Sequence, residues 1–327
     1  MSPRGERAKG AQVLEKIVVG YSPDQAGRDA VALAGEIAVL VDARLTIVFP
    51  YHPAFARETG EQAEERIRGE VKELTATLAD SAKLEPLTIR WSTASWPIRA
   101  LHELADYEHA QLIVVGAARE GATAHLKVSL MERMVHGAPC AIFVSPSGYA
   151  AAAAGAAAAR AEQHPFKRIG VGFSSSQEGR AAIRLARELA RAAGGNVHVI
   201  AGAGLEPALA SYAFSSPALG EVEDEIYADT ERTLTRVCEE ICADEGVALE
   251  HETVRGDPAT VLIERSGDLD LLVLGSRAYG PLRHAFLGSV SARAMREAHC
   301  PVLVLPRGAE GASGASGEQS SGAAGLA

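Results

Sequence analysis

Two doubly wound α/β units in tandem, each a parallel sheet with helices on both faces, is the fold that this 327-residue sequence predicts. Three observations carry that expectation. Length comes first: at roughly 150 residues per domain, the chain has room for two. Repetition comes second. Lys16-Ile-Val-Val-Gly20-Tyr21-Ser22 returns as Arg168-Ile-Gly-Val-Gly172-Phe173-Ser174, Leu112-Ile-Val-Val-Gly116 as Leu271-Leu-Val-Leu-Gly275, and Ala138-Pro-Cys140 as Ala298-His-Cys300. The offsets at Gly20, Gly116 and Cys140 are 152, 159 and 160 residues, so the order is kept and a small insertion falls around 203–220 of the second copy. Such self-similarity marks a duplication. Alternation comes third: short apolar runs take turns with segments of helical periodicity, the pattern of a parallel sheet joined by right-handed crossovers.

Each element has its own signal. Arg168–Gly172 is a short apolar run bounded by polar residues, as in a strand buried on both faces. Over 179–193, Ala182, Ile183, Ala186, Leu189 and Ala190 form one face and Arg180, Arg184, Arg187 and Arg191 the other, which predicts an amphipathic helix stopped by Gly194-Gly195. Strands are expected at 196–201, 247–254, 269–274 and 301–305, and helices at 221–245, 257–266 and 288–298. Asp257-Pro258 opens its helix as an N-cap with Pro at the first helical position. In the first copy the same reading gives strands at 16–20, 44–49, 87–92, 112–115 and 141–144, with helices at 27–41, 61–78, 97–108 and 130–137. The domains are therefore expected at 14–147 and 166–307, between a disordered leader at 1–13 and a disordered Gly/Ser/Ala tail at 308–327. The nearly all-alanine stretch 148–165 is a linker, helical or floppy.

Composition excludes several classes. Asp and Glu number 42 against 32 Lys and Arg, a net charge of −10, which argues against bulk-charge binding to nucleic acid or an anionic membrane. No apolar run approaches the roughly 18 residues of a membrane span. The basic start lacks an apolar core and is not read as a secretory signal. Four cysteines are too few for a disulfide scaffold and are not spaced for zinc. A reduced, cytoplasmic, soluble protein is expected. Hydrophobic residues make up 47% and aromatics 5%, so Ala, Val, Ile and Leu must build the cores.

In an open parallel sheet, ligands bind beyond the carboxyl ends of the strands, where the strand order reverses. The loops leaving the first and fourth strands of each copy are the places to look. In the second copy Gly275 follows the fourth strand directly, and Gly288-Ser289 opens the next helix. Glycines let backbone amides approach an anion, and a helix start adds unpaired amides and the positive dipole end. Together these are parts of a phosphate cradle.

The tandem layout, the strand-one turn, the loop from Gly275 through Gly288-Ser289-Val290-Ser291 and the closing Cys300-Pro-Val-Leu-Val-Leu-Pro306 resemble the universal stress protein family. The resemblance covers nearly all of 14–306 and implies two sheets of order 3-2-1-4-5 in stacked domains. In the family's nucleotide-binding branch the loop reads Gly-x2-Gly-x9-Gly-Ser/Thr and holds ATP phosphates. Here Gly275, Gly288 and Ser289 keep that spacing, while Ala278 replaces the middle glycine and Gly280 stands two places on. The family's Asp after the first strand is Ser174, and its usual valine at the end of the second strand is Gly202. The resemblance implies ATP or AMP with Mg²⁺ in the second copy, held by Gly172, Ser174, Gly202, Gly275, Ala278, Gly288, Ser289 and Val290. The first copy has Val128 at the helix-opening glycine and Ser22 at the Asp, and is expected to bind no ATP and to serve as a pseudo-symmetric partner.

Neither catalytic nor metal residues are expected. Ser276, Tyr279 and Ser289 lack an adjacent carboxylate in sequence, and the first-strand loops do not resemble those of the related substrate-activating hydrolases. Cys140 and Cys300 read as packing thiols, Trp91 and Trp96 as packing residues, and Arg277 and Arg283 as solvated surface arginines. The expected function is a stress-responsive adenine-nucleotide-binding regulator with at most slow ATP hydrolysis. The alternative is a nucleotide-free interaction module. The apolar closing strands want a partner, which predicts an intramolecular pseudo-dimer and leaves a homodimer open.

Overall fold

The structure is a computed structural model, and it describes residues 14–50, 58–76, 88–92, 97–117, 133–157, 165–204, 217–242, 247–276 and 288–306. The first half runs β1 (Lys16–Gly20), α1 (Gln25–Val41), β2 (Arg44–Pro50), α2 (Gly60–Thr75), β3 (Thr88–Ser92), α3 (Pro97–Glu108), β4 (Leu112–Gly116) and β5 (Ala141–Ser145). A helix within the alanine-rich stretch, α4 (Tyr149–Ala157), leads toward the second half. There follow β6 (Arg168–Gly172), α5 (Gln177–Ala193), β7 (Asn196–Ala203), α6 (Pro217–Cys242), β8 (Leu249–Arg255), α7 (Pro258–Arg265), β9 (Leu271–Gly275), α8 (Ser289–Glu297) and β10 (Val302–Leu305).

Both halves have the expected parallel order, but they do not stack face on face. The sheets are joined edge to edge into one ten-stranded sheet, β3-β2-β1-β4-β5-β10-β9-β6-β7-β8. The joint is antiparallel, with Val302 opposite Val144, Leu303 opposite Phe143 and Val304 opposite Ile142. All other pairings among the described strands are parallel. Apolar strand edges left in water would invite foreign strands, and here each closing strand satisfies the other.

Alternation along the strands sends side chains to two core layers, each running through both halves. One layer lies under α1, α2, α5 and α6 and contains Phe143, Phe166, Ile169 and Leu303; the other lies under α3, α7 and α8 and contains Val18, Ile113, Ile142, Leu272 and Val302. The rings of Phe143 and Phe166 stand 6.3 Å apart in the first layer.

The helix starts follow local chemistry. Asp24 caps α1 by accepting the Gly27 N–H, Ser176 caps α5 by accepting that of Gly179, and Thr59 and Gln62 form a capping box on α2. The α1 helix thus begins two residues before the position that periodicity alone predicts. Its end is a left-handed Asp42 (φ 61°), where α5 has Gly194 (φ 62°). The Tyr21 hydroxyl, just after β1, donates to Glu70 of α2, and Arg66 of the same helix pairs with Glu58 at 2.8 Å and Glu70 at 3.0 Å. Burial and the Glu70 carboxylate hold the Tyr21 phenol well above its usual pKa.

Gly69 lies exposed within α2, and a Cβ added there would meet nothing within 4 Å. Gly69→Ala is therefore expected to stabilise the protein by about 0.5–1 kcal/mol, through lost chain entropy alone. An upward shift of the urea midpoint at constant slope checks it.

Cys140, Cys238 and Cys300 are buried and form no disulfide among the described residues. Burial pushes Cys140 and Cys300 each up to about 12, so both stay protonated and act as packing groups. Among the described residues no helix is long and apolar enough to cross a membrane, and no group of three His, Cys, Asp or Glu side chains could hold a metal ion.

Candidate functional site

The chain leaves β6 through α5 to reach β7 on one side, while β9 lies on the other, so the strand order reverses between β6 and β9. At the carboxyl ends of these two strands stand Gly172 and Gly275. A Cβ added at Gly275 would lie 3.1 Å from Glu178 Cβ and 3.3 Å from the Gly179 nitrogen, so β9 ends close against the first turn of α5.

The start of α8 is tied back to the same place. The Ser276 N–H donates to the Leu305 carbonyl at 2.9 Å, and the Gly288 N–H donates to the Ser276 carbonyl at 3.1 Å. The Ser291 hydroxyl donates to the Gly275 carbonyl at 2.8 Å. These bonds hold both ends of the segment 277–287 side by side. That segment, with Arg277, Ala278, Tyr279, Gly280 and Arg283, lies outside the described residues.

Gly288 is the N-cap of α8 and has no side chain with which to cap it. Asp24, Thr59, Ser176 and Asp257 each cap their own helix with an oxygen. The first N–H groups of α8, at Ser289, Val290 and Ser291, have no acceptor within the helix and carry the positive end of its dipole. Ser289 is exposed, the Val290 side chain packs on the core beneath α8, and Ser291 is buried. Gly288 has φ −61° and ψ 148°, ordinary extended backbone, so close approach rather than strain is what its missing side chain provides.

The remaining expected positions are placed differently. A Cβ on Gly172 would come 2.4 Å from Leu274 Cδ2 and 2.8 Å from Leu262 Cδ1, and one on Gly202 would come 2.4 Å from Pro258 Cα. Both glycines therefore let α7 seat closely on the sheet. The Ser174 hydroxyl lies 2.8 Å from that of Ser176, so it belongs to the cap of α5; Ser22 in the first half likewise donates to the capping Asp24 at 2.6 Å.

Three residues beside the site escaped sequence reasoning. Ser291 is the hydroxyl that binds strand end to helix start, and its position two residues after Ser289 was the available signal. Glu178 is buried in the first turn of α5 beside Gly275, where the first half has Ala26 beside Gly116. Arg293, one turn along α8 from Ser289, pairs with Asp257 at 2.7 Å, while Asp257 also caps α7. Only the fold reveals that Asp257 and Arg293 meet.

The family model described as the universal stress protein family matches residues 14–146 and 165–306. The first curated relatives include a universal stress protein of Mycobacterium tuberculosis, 37% identical over 67 residues; the match covers 20% of this chain and only 23% of that one. A second universal stress protein of that organism is 23% identical over 299 residues, covering 89% of this chain and 99% of its own. A solved universal stress protein of Archaeoglobus fulgidus shares the fold at a TM-score of 0.55 and 16% identity, covering 90% of this chain and 96% of that one. Another solved universal stress protein, 20% identical over 42% of this chain and 95% of its own with a TM-score of 0.28, is in complex with cAMP. Two family matches in tandem, on two halves of the same strand order, establish that the chain belongs to the universal stress protein family.

Proposed function

We propose that the protein is a nucleotide-responsive regulator whose second half binds an adenine nucleotide, ATP or AMP, while the first half serves as its pseudo-symmetric partner. The observation that carries the reading is the uncapped start of α8, held by Ser276 and Ser291 against the glycine end of β9 at the reversal point of the sheet. Backbone amides and a helix dipole at such a point suit a phosphate chain. Gly275, Gly288, Ser289 and the Val290 amide would line it, with Ala278 in the connecting segment. The base would lie beyond Gly172, Ser174 and Gly202, since α7 fills the space over the two glycines.

Mg²⁺, when bound, would neutralise phosphate charge. Phosphate oxygens and water would supply most of its ligands, as is usual for that ion. The hydroxyls of Ser174 and Ser291 are engaged with Ser176 and the Gly275 carbonyl, so neither is an activated nucleophile. On this reading hydrolysis is at most slow.

Calorimetric titration of ATP and AMP into the nucleotide-free protein tests this. One site per chain is expected, with at least tenfold weaker binding in Gly288→Val, whose backbone angles suit valine. Absence of heat with the wild type would favour the nucleotide-free interaction module.

A further inference from the structure

The duplicated helices α1 and α5 are buried to different extents. On α5, Arg184 and Arg191 face water, whereas α1 is buried without interruption from Asp29 to Leu40. The outward positions explain the difference. Asp29, Ala32, Glu36 and Leu40 of α1 correspond to Ala181, Arg184, Glu188 and Ala192 of α5. The α1 set is covered by α4, which packs along it.

The hold on α4 is specific. The Asp29 carboxylate, fully buried, accepts the N–H groups of Gly148 at 2.9 Å and Ala150 at 2.8 Å, besides the Gln25 side-chain amide at 2.8 Å. Asp29 thus acts as the N-cap of a helix that begins 120 residues later in the chain. The Tyr149 hydroxyl donates to Glu36 one turn-pair further along α1. Apart from Tyr149 and Gly155, α4 is alanine, and it has only nine residues. A free helix of that length is marginal in water, and an internal glycine weakens it further.

We propose that α4 is a detachable strap: it is helical only while docked on α1, it is released as a unit, and Asp29 is the clamp that decides which state it occupies. The second half lacks the clamp, having Ala181 where the first has Asp29, so the device belongs to the first half alone. The strap is also part of the one covalent connection between β5 and β6. Its release lengthens that connection and bares the Ala32–Leu40 face of α1, leaving the β5–β10 joint in place.

Hydrogen-exchange mass spectrometry of the full chain tests the proposal. Peptides spanning 149–157 are expected to be protected in the wild type, to exchange at least tenfold faster in Asp29→Ala and to show an intermediate rate in Tyr149→Phe, with β1 and β4 unchanged in all three. Protection of α4 that stays within twofold in Asp29→Ala would overturn the clamp. Equal loss of protection in β1 and β4 would overturn the strap, since α4 would then be an inseparable part of the first-half core.

Discussion

Phe143→Ala is expected to lower unfolding stability by about 3–5 kcal/mol, the usual cost of emptying a phenylalanine site in a close-packed core. Phe143 is fully buried, lies opposite Leu303 in the antiparallel joint and meets Phe166, the residue that brings the chain into β6. Its removal opens a cavity shared by both halves, so the whole protein should unfold at lower urea with an unchanged slope. Tyr107→Ala is the matched control: that ring is 81% exposed, and its loss should stay within about 0.5 kcal/mol. A cost below about 1 kcal/mol at Phe143, or early unfolding of one half alone, would mean that the joint does not unite the two cores. Phe166→Ala should add less to Phe143→Ala than it costs by itself, because the two rings fill one space.

Gly116→Ala is expected to cost about 3 kcal/mol and to lower the melting temperature by roughly 4 °C. The new Cβ would stand 2.0 Å from the Ala26 carbonyl oxygen, a backbone atom that moves only if α1 shifts off the sheet. Gly275→Ala, the same change in the second half, meets its nearest atoms at 3.1–3.3 Å and should cost about 1 kcal/mol. Thermal melts of both variants check the contrast, and equal costs would contradict it. The comparison also separates two uses of one motif position. In the first half the glycine seats α1 tightly, whereas in the second it leaves a small margin between strand end and helix start.

The strands were legible because parallel strands buried on both faces give unbroken apolar runs, as at Leu112–Gly116 and Leu271–Gly275. Helix ends were read less well. Asp24 caps α1 ahead of the first periodic residue, and α6 starts at Pro217, four residues before the polar-apolar segment begins. Apolar closing strands signalled a need for partners, but the antiparallel register depends on residues far apart in the chain. At the site, the spacing from Gly275 to Gly288-Ser289 could be read directly. The roles of Gly172 and Gly202 could not, because they depend on Leu262 and Pro258 of α7. The alanine stretch was ambiguous for the same reason: its cap is Asp29, and no local pattern announces a cap supplied from another helix.

The antiparallel joint gives the sheet two opposed margins. Strands of the first half end on one margin and those of the second on the other, and each margin runs across the sheet for about 43 Å at the usual strand spacing. A molecule seated beyond β6 and β9 therefore looks away from the margin where β1 and β4 end. On the proposed reading, a nucleotide bound there and any contact made at the opposite margin would communicate through packed side chains and backbone instead of open solvent.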